Sequence, residues 1–97
     1  MNKAAIHEKL NQHRGEILDR FGAKRLSLFG SAARDELRDD SDIDVLVEFE
    51  QAATYDGYFD LKGFLEQLLG RRVDLVTEKG LKPRARRHVE KDMIRVA

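Results

Sequence analysis

The sequence predicts an α/β (α+β) domain in which a small, mixed β-sheet is flanked by helices. Helical and extended segments alternate along the chain, which is the order typical of this fold class. The 97 residues are 41% hydrophobic and 37% charged, a composition typical of a folded globular protein. Because this length corresponds to one small domain, we expect residues 1–97 to form a single domain.

The first third of the chain is predicted to contain a helix, a strand and a short helical segment. Apolar residues recur at helical spacing over 3–20, and Gly22 follows as a natural end of that helix. Closely spaced leucines predict a short strand over 24–29. The segment 32–37 is expected to form one or two helical turns.

The middle of the chain is predicted to contain two strands and one amphipathic helix. β-Branched and apolar residues predict a largely buried strand over 43–49, and 51–57 is expected to be a loop. Apolar side chains at helical spacing predict a helix over 59–69, which ends before Gly70. The segment 72–76 is predicted to be a third strand.

The last segment is predicted to be a basic helix and a short strand. Pro83 suits the first turn of a helix that runs to about Lys91. The segment 93–96 is expected to form a short final strand. The complete order of elements therefore supports a small mixed sheet with helices on its faces.

Charge is distributed unevenly along a chain whose net charge is zero. Ten acidic residues and one base lie between Asp35 and Asp60, whereas seven bases and two acids lie between Lys79 and Arg95. Such a separation suits a divalent cation, a polyphosphate or a charged partner.

The composition excludes several kinds of site and location. The absence of cysteine excludes disulfide scaffolds, thiolate zinc sites and thiol catalysis. The three histidines do not form an HExxH pattern. No stretch is apolar enough to span a bilayer, and residues 1–10 lack the apolar core of a signal peptide. We therefore expect a cytoplasmic protein without membrane contact.

Three aspartates are the candidate catalytic residues and metal ligands. Asp42 and Asp44 are two positions apart, so both side chains project from one face if the strand begins at Asp42. Asp74 joins them if the strand 72–76 pairs beside the strand 43–49. Carboxylate oxygens select Mg²⁺ or Mn²⁺, and three such groups suit a two-metal phosphoryl or nucleotidyl transfer.

Gly30 and Ser31 are candidate phosphate-binding residues. Glycine lets the backbone approach a phosphate closely, and a serine at a helix start offers its hydroxyl beside free N–H groups. Gly-Lys-Ser/Thr does not follow, so this is not a Walker A loop. The combination with Asp42, eleven positions after Ser31, is much more specific than either part alone. Arg34 either contacts phosphate or offsets the nearby acids.

A calcium-binding loop and a purely structural role are the alternatives for the aspartates. Asp40, Asp42 and Asp44 begin like an EF-hand loop. Val45 occupies the position of the required glycine and Gln51 that of the required glutamate, which excludes this motif. A lone Asp-x-Asp is more often structural, but the Gly-Ser pair upstream and the third aspartate downstream favour catalysis.

Two blocks of sequence closely resemble the minimal nucleotidyltransferases of the polymerase-β-like superfamily. They are Phe-Gly-Ser-Ala-Ala-Arg-Asp-Glu at 29–36 and Ser-Asp-Ile-Asp-Val-Leu-Val-Glu-Phe at 41–49. The segment 72–76 is similar to that family's third-carboxylate strand, and Leu-Lys-Pro at 81–83 before a basic helix is also typical. The resemblance covers nearly the whole chain and implies the polymerase-β-like nucleotidyltransferase fold.

The resemblance also implies an activity and a partner. Family members of this size are antitoxins in two-gene prokaryotic modules, and their partner is a HEPN-domain ribonuclease toxin. The chain would use Mg²⁺, as two ions, and ATP to transfer AMP to a tyrosine hydroxyl of the toxin. Gly30 and Ser31 would hold the triphosphate. Asp42 and Asp44 would hold the metal ions, and Asp74 would bind the metal beside the attacking hydroxyl and help to take its proton.

One position departs from the family pattern. The family usually has glycine where this chain has Asp35. If the position requires a positive φ, aspartate tolerates it better than most residues but at some cost. The change adds negative charge near the expected triphosphate, so we expect it to affect nucleotide affinity rather than the fold.

Simpler roles are expected for four neighbouring side chains. Tyr55 and Tyr58 lie between the acidic strand and the next helix, where anchoring a loop or contacting a partner is favoured over receiving AMP. Glu36 and Glu48 are interpreted as surface charges, with a position near the metal as the alternative.

Two other functions compete with catalysis on a toxin. The chain would neutralise its toxin by binding alone if the metal site were inactive. Transfer to a small molecule or RNA is disfavoured, because a chain of 97 residues leaves no second domain to hold the acceptor. The basic helix is expected to dock a partner rather than nucleic acid, since no aromatic stacking platform accompanies its bases.

Overall fold

The computed structural model describes all 97 residues. They form five helices and one four-stranded sheet, which are joined by loops. None of the five helices combines the length and the apolar character that crossing a membrane requires. In chain order, the elements are α1 (Lys3–Gln12), α2 (Arg14–Phe21), β1 (Ala23–Phe29), α3 (Gly30–Ala33), β2 (Ile43–Phe49), α4 (Tyr55–Leu69), β3 (Val73–Thr77), α5 (Pro83–Asp92) and β4 (Ile94–Arg95).

The sheet is mixed, which confirms the predicted fold class. Its strand order is β3-β2-β1-β4, with β1 antiparallel to both β2 and β4. The strands β2 and β3 are parallel, because the chain crosses back through α4 before it forms β3. All four predicted strands are present; the strand 43–49 has the predicted bounds, and the bounds of the other three differ by at most one residue.

The two faces of the sheet differ in what covers them. Alternate strand residues point to opposite faces. One face carries fully buried side chains such as Leu26, Leu28 and Val45, which pack against α1, α2 and α4. The opposite face carries Ser27 and Leu46, and α5 covers only part of it. This second face is therefore the one on which polar chemistry is possible.

The predicted helix over 3–20 is wrong in one respect, because it consists of two helices. His13 separates α1 from α2, and its N–H donates to the Leu10 carbonyl in a tighter turn than an α-helix allows. Gly22, at φ 68°, ends α2 as expected. Apolar periodicity could not show the break, because Leu10 and Ile17 face the core on both sides of it.

Two further boundaries also differ from the predictions. The helical turns expected over 32–37 are limited to α3, because the backbone reaches a φ of 60° at Asp35. The expected loop over 51–57 is shorter, since α4 already begins at Tyr55. Thr54 caps this helix by accepting a hydrogen bond of 3.0 Å from the Gly57 N–H. Pro83 occupies the first turn of α5, as predicted.

Candidate active site

Asp44 and Asp74 form a carboxylate pair on the open face of the sheet. They occupy the same register position on the parallel strands β2 and β3. Neighbouring strands lie about 4.8 Å apart, so the two side chains stand side by side on one face. Asp44 is half-buried and Asp74 is exposed. The condition set by the sequence, that the third strand pairs beside the second, is therefore met.

The electrostatics of this pair are unfavourable without a cation. The pKa of Asp44 is raised from 3.8 to about 6, first by burial and then by the charge of Asp74 and a hydrogen bond with it. Asp42 adds a smaller effect in the same direction, whereas Arg34 opposes it. Two carboxylates held together in this way either share a proton or bind a cation.

Gly30 is fitted closely against this carboxylate pair. Its φ is 65°, which L side chains rarely adopt. A Cβ atom built at this position would collide with the carboxylate of Asp44. The turn into α3 is thus pressed against the pair, with Ser31 at the second position of the helix. The structure therefore brings the Gly-Ser turn and the carboxylates together.

Asp42 does not meet the condition stated for it, namely that the strand begins at this residue. The strand β2 begins at Ile43, so Asp42 precedes the strand instead of opening it. Its Oδ1 atom lies 3.1 Å from Nε of Arg72, and both side chains are largely exposed. No group of three or more His, Cys, Asp or Glu side chains is arranged to hold a metal ion. The carboxylate pair is formed, whereas the set of three aspartates is not.

The residues present nevertheless fit a divalent cation. The pair offers hard oxygen donors that repel one another, and the missing Cβ of Gly30 lets the backbone of the Gly-Ser turn lie directly against Asp44. Mg²⁺ is commonly bound by one or two carboxylates together with substrate phosphates rather than by a closed protein cage. Asp44 and Asp74 match this mode, and Asp42 is available if it leaves Arg72.

Arg34 takes the second of the two roles that the sequence left open. Its Nη1 atom lies 2.9 Å from Oδ2 of Asp92 at the end of α5, and its Nε lies 3.2 Å from Oε1 of Glu36. The hydrogen bond with Asp92 raises the pKa of Arg34 above its ordinary value. Arg34 therefore offsets nearby acids, and its contact with phosphate stays a prediction.

Three residues that sequence reasoning missed shape the surroundings of the pair. Arg71 donates hydrogen bonds to the carbonyl oxygens of Arg38 and Ser41, the latter at 2.8 Å, and so holds the loop before β2. Arg72 pairs with Asp42, and Asp92 pairs with Arg34. The available signal was the pair of consecutive arginines directly before the third strand.

The two tyrosines have separate roles. The Tyr58 hydroxyl donates a hydrogen bond to the Leu75 carbonyl on β3, so it anchors α4 to the sheet. Tyr55 is 78% exposed and stacks its ring near that of Phe59. The expectation that these residues anchor or contact is therefore met by Tyr58.

The two glutamates lie away from the carboxylate pair. Glu36 pairs with Arg34. Glu48 lies near the far end of β2, where it contacts Lys24 and Arg25. A hydrogen bond with Glu78, followed by the charges of these bases, lowers the pKa of Glu48. Glu36 is an exposed surface charge, as interpreted, whereas Glu48 is half-buried.

The fold and the site together define a class of protein. A mixed sheet presents a carboxylate pair on two parallel strands, and a glycine turn packs directly against it. This combination defines a nucleotidyltransferase domain. The chain belongs to the nucleotidyltransferase domain family, whose sequence model matches residues 10–96.

Individual relatives narrow the class to the minimal nucleotidyltransferases. The chain is 38% identical over 91 residues to protein adenylyltransferase MntA of Thermococcus cleftensis, covering 94% of this chain and 92% of that protein. A solved structure described as a candidate minimal nucleotidyltransferase matches with a TM-score of 0.83 and 42% identity, covering 97% and 95% of the two chains.

A more distant structure shares the fold. It is a complex of the tri-AMPylated Shewanella oneidensis HEPN toxin with an MNT antitoxin, and the match has a TM-score of 0.71 at 18% identity. It covers 98% of this chain and 71% of that one. The resemblance recognised in the sequence is confirmed, and the chain is a nucleotidyltransferase.

Proposed function

We propose that the chain is a single-domain protein adenylyltransferase that acts as an antitoxin. It transfers AMP from ATP to a tyrosine hydroxyl of a HEPN-domain ribonuclease toxin and thereby inactivates the toxin. The name of the Thermococcus relative supports the transfer of AMP to protein, and the Shewanella complex supports the kind of partner. The observation that carries the proposal is the Asp44–Asp74 pair against Gly30.

The residues divide between metal and nucleotide. Asp42, Asp44 and Asp74 would hold two Mg²⁺ ions, which neutralise phosphate charge and make a nearby hydroxyl easier to ionise. Gly30 and Ser31 would hold the triphosphate through the backbone and hydroxyl at the start of α3. Arg34 would contribute its guanidinium after leaving Asp92. The repulsion within the carboxylate pair supports the metal role, because a cation removes it.

This chain and its substrates supply every group that the transfer of AMP requires. The acceptor oxygen forms a bond to the α-phosphorus of ATP, and the bond from that phosphorus to the bridging oxygen breaks, so pyrophosphate leaves. The acceptor proton passes to Asp74. The exposure of Asp74 supports this role, because an acceptor carried by another protein reaches it first. Asp44 is half-buried beside the Gly-Ser turn, which suits contact with the nucleotide side.

Intact-mass spectrometry of the cognate toxin tests the proposal. The protein product of the gene that neighbours this chain's gene is tested as the toxin and is incubated with the chain, ATP and Mg²⁺. We expect the toxin to gain the mass of one or more AMP units. The gain should be absent with the double variant Asp42→Ala/Asp44→Ala and retained with Asp39→Ala/Asp40→Ala, which removes two exposed aspartates just before the site.

Peptide mapping then locates the modified residue. AMP on a tyrosine supports the full proposal, whereas AMP on another side chain corrects the acceptor. A stable complex of the two proteins without any mass gain would instead show neutralisation by binding alone.

A further inference from the structure

An aromatic groove lies between α2 and α4, on the helical side of the molecule. Its volume is about 540 Å³, which is enough to accept several side chains. Phe21 and Phe64 form one wall, with ring centroids 5.0 Å apart. Phe59, on the same helix as Phe64, also lines the groove and is 47% exposed, and the exposed ring of Tyr55 packs against it. Exposed aromatic rings beside a concave surface are typical of protein interfaces.

Gly63 in this groove has no explanation within the chain. It lies inside α4 and is exposed, and a Cβ atom there would meet no atom within 4 Å. Glycine inside a helix costs about 1 kcal/mol relative to alanine. By contrast, a Cβ at Gly57 would meet the capping hydroxyl of Thr54. The bare surface at Gly63 is what the close approach of another chain requires.

The groove is far from the carboxylate pair. Asp44 lies near the start of β2, whereas α4 begins beyond its end. Seven strand residues span about 20 Å. The groove also lies on the face of the sheet opposite to Asp44, because α2 and α4 cover the core face. A protein bound in the groove therefore leaves the carboxylate face open.

The charges around the groove are complementary to one another. Arg20 lines it from α2, where it makes an exposed ion pair of 3.2 Å with Glu16 of the same helix, and Asp60 lines it from α4. Asp56 adds a second acid in the first turn of α4. A surface with a cation on one rim and an anion on the other is self-complementary when two copies meet about a two-fold axis.

We propose that the aromatic groove is the interface of a symmetric homodimer of this chain. The Phe59 rings of the two copies pack across their Gly63 residues. Arg20 of each copy pairs with Asp60 of the second copy, at both ends of the interface. The dimer presents two carboxylate sites facing outward, each accessible to a separate partner.

Sedimentation equilibrium of the full chain tests this interface. Across about 1 to 300 µM protein, we expect the average mass to rise from 11.2 kDa towards twice that value. Gly63→Arg should weaken the dimer at least about tenfold, since it fills the groove. The open space at Gly63 lets the monomer fold, and thermal melting at low concentration checks this.

Two sets of controls make the result specific to the groove. Gly15→Arg changes another exposed helix glycine with open space around it, and should dimerise like the unaltered chain. Arg20→Asp and Asp60→Arg should each weaken the dimer, and the double variant should restore it.

Several outcomes would overturn the proposal. They are a monomer at every concentration, a Gly63→Arg variant that dimerises normally, and a charge-reversed pair that does not restore the dimer. A monomeric chain whose Gly63→Arg variant loses toxin binding would assign the groove to the toxin instead. None of these outcomes bears on AMP transfer, which mass spectrometry measures separately.

Discussion

At the scale of single residues, Asp44 shows how the site is held in a state that favours a cation. Burial and the charge of Asp74 both raise its pKa, to about 6. The folded protein therefore binds a proton at Asp44 more tightly than the unfolded chain does. This contribution to stability is fully present below the ordinary pKa of 3.8 and is lost as the pH rises through about 6.

Replacing Asp44 with asparagine should stabilise the metal-free protein at neutral pH. The amide removes the repulsion, and we expect a gain of about 1 to 2 kcal/mol near pH 7, because solvent screens a partly buried group. The gain should disappear below about pH 4, where the aspartate is protonated as well. Urea denaturation in the presence of a chelator, near pH 7 and below pH 4, measures the difference in the free energy of unfolding between the variant and the original chain.

The control for this prediction is Asp40→Asn, which removes an exposed carboxylate outside the pair. It should leave the dependence of stability on pH nearly unchanged. If Asp44→Asn and Asp40→Asn behaved alike, the repulsion within the pair would not be a source of instability.

The side chain of Asp35 makes a hydrogen bond that offsets the strain of its own backbone conformation. Its φ is 60°, which is costly for a residue other than glycine. Its Oδ1 atom accepts a hydrogen bond of 2.8 Å from the Lys3 N–H at the start of α1. The carboxylate thus ties the turn after α3 to the first helix. The condition that the sequence left open, a positive φ at this position, is met, and the side chain contacts a helix terminus.

Three substitutions at Asp35 should separate strain from capping. Asp35→Ala keeps the strain and loses the hydrogen bond, so we expect a loss of about 1 kcal/mol in the free energy of unfolding. Asp35→Gly loses the same hydrogen bond but relieves the strain, so its stability should stay close to the original. Asp35→Asn should retain both features. If urea denaturation showed the same loss in the free energy of unfolding for Asp35→Ala and Asp35→Gly, the backbone at this position would not be strained.

At the scale of elements, α4 protects the exposed edge of the sheet. The strand β3 has no neighbour on its outer side. The carboxylate of Glu66 accepts a hydrogen bond of 2.9 Å from the Val73 N–H, and the Tyr58 hydroxyl donates to the Leu75 carbonyl. Side chains of α4 therefore occupy backbone groups that would otherwise attract another strand.

Removing the Tyr58 hydroxyl should loosen this edge. We expect Tyr58→Phe to lower the free energy of unfolding by about 1 kcal/mol, because the partly buried Leu75 carbonyl loses its donor. Amide hydrogen exchange should also become faster along β3. Tyr55→Phe is the matched control, since Tyr55 is 78% exposed and its loss should change stability by less than about 0.5 kcal/mol. Equal effects of the two variants would exclude an anchoring role for Tyr58.

At the scale of the whole molecule, one ion pair joins the Gly-Ser turn to the last helix. Arg34 and Asp92 are 58 positions apart in the sequence, and Nη1 of Arg34 lies 2.9 Å from Oδ2 of Asp92. The proposed nucleotide role of Arg34 requires this contact to break. The end of α5 therefore competes with the triphosphate for the same guanidinium.

Asp92→Asn should strengthen nucleotide binding. Freeing Arg34 from an exposed ion pair should tighten binding by no more than about fivefold, because water screens surface ion pairs. Isothermal titration calorimetry with a non-hydrolysable ATP analogue and Mg²⁺ measures the change. Glu90→Gln, which removes another acid of α5, should leave the affinity unaltered. Unchanged or weaker binding by Asp92→Asn would show that Arg34 serves the fold alone.

The sequence by itself determined the local features of this protein. The strands, the final helix and the glycine that ends α2 follow from side-chain spacing and backbone preference, which act over a few residues. The Gly-Ser turn and the two aspartates after it are likewise a short-range pattern. Apolar spacing could not place the break at His13, because periodicity records the buried face and not the continuity of hydrogen bonds.

Only the tertiary structure decided how the distant charges pair. The parallel register of β2 and β3 places Asp74 beside Asp44. The packing of the same elements also forms the ion pairs of Asp42 with Arg72 and of Arg34 with Asp92. A chain of 37% charged residues offers many possible partners for each group. Coulombic attraction depends on separation in space. The pairing is therefore settled by which backbone segments the core brings together.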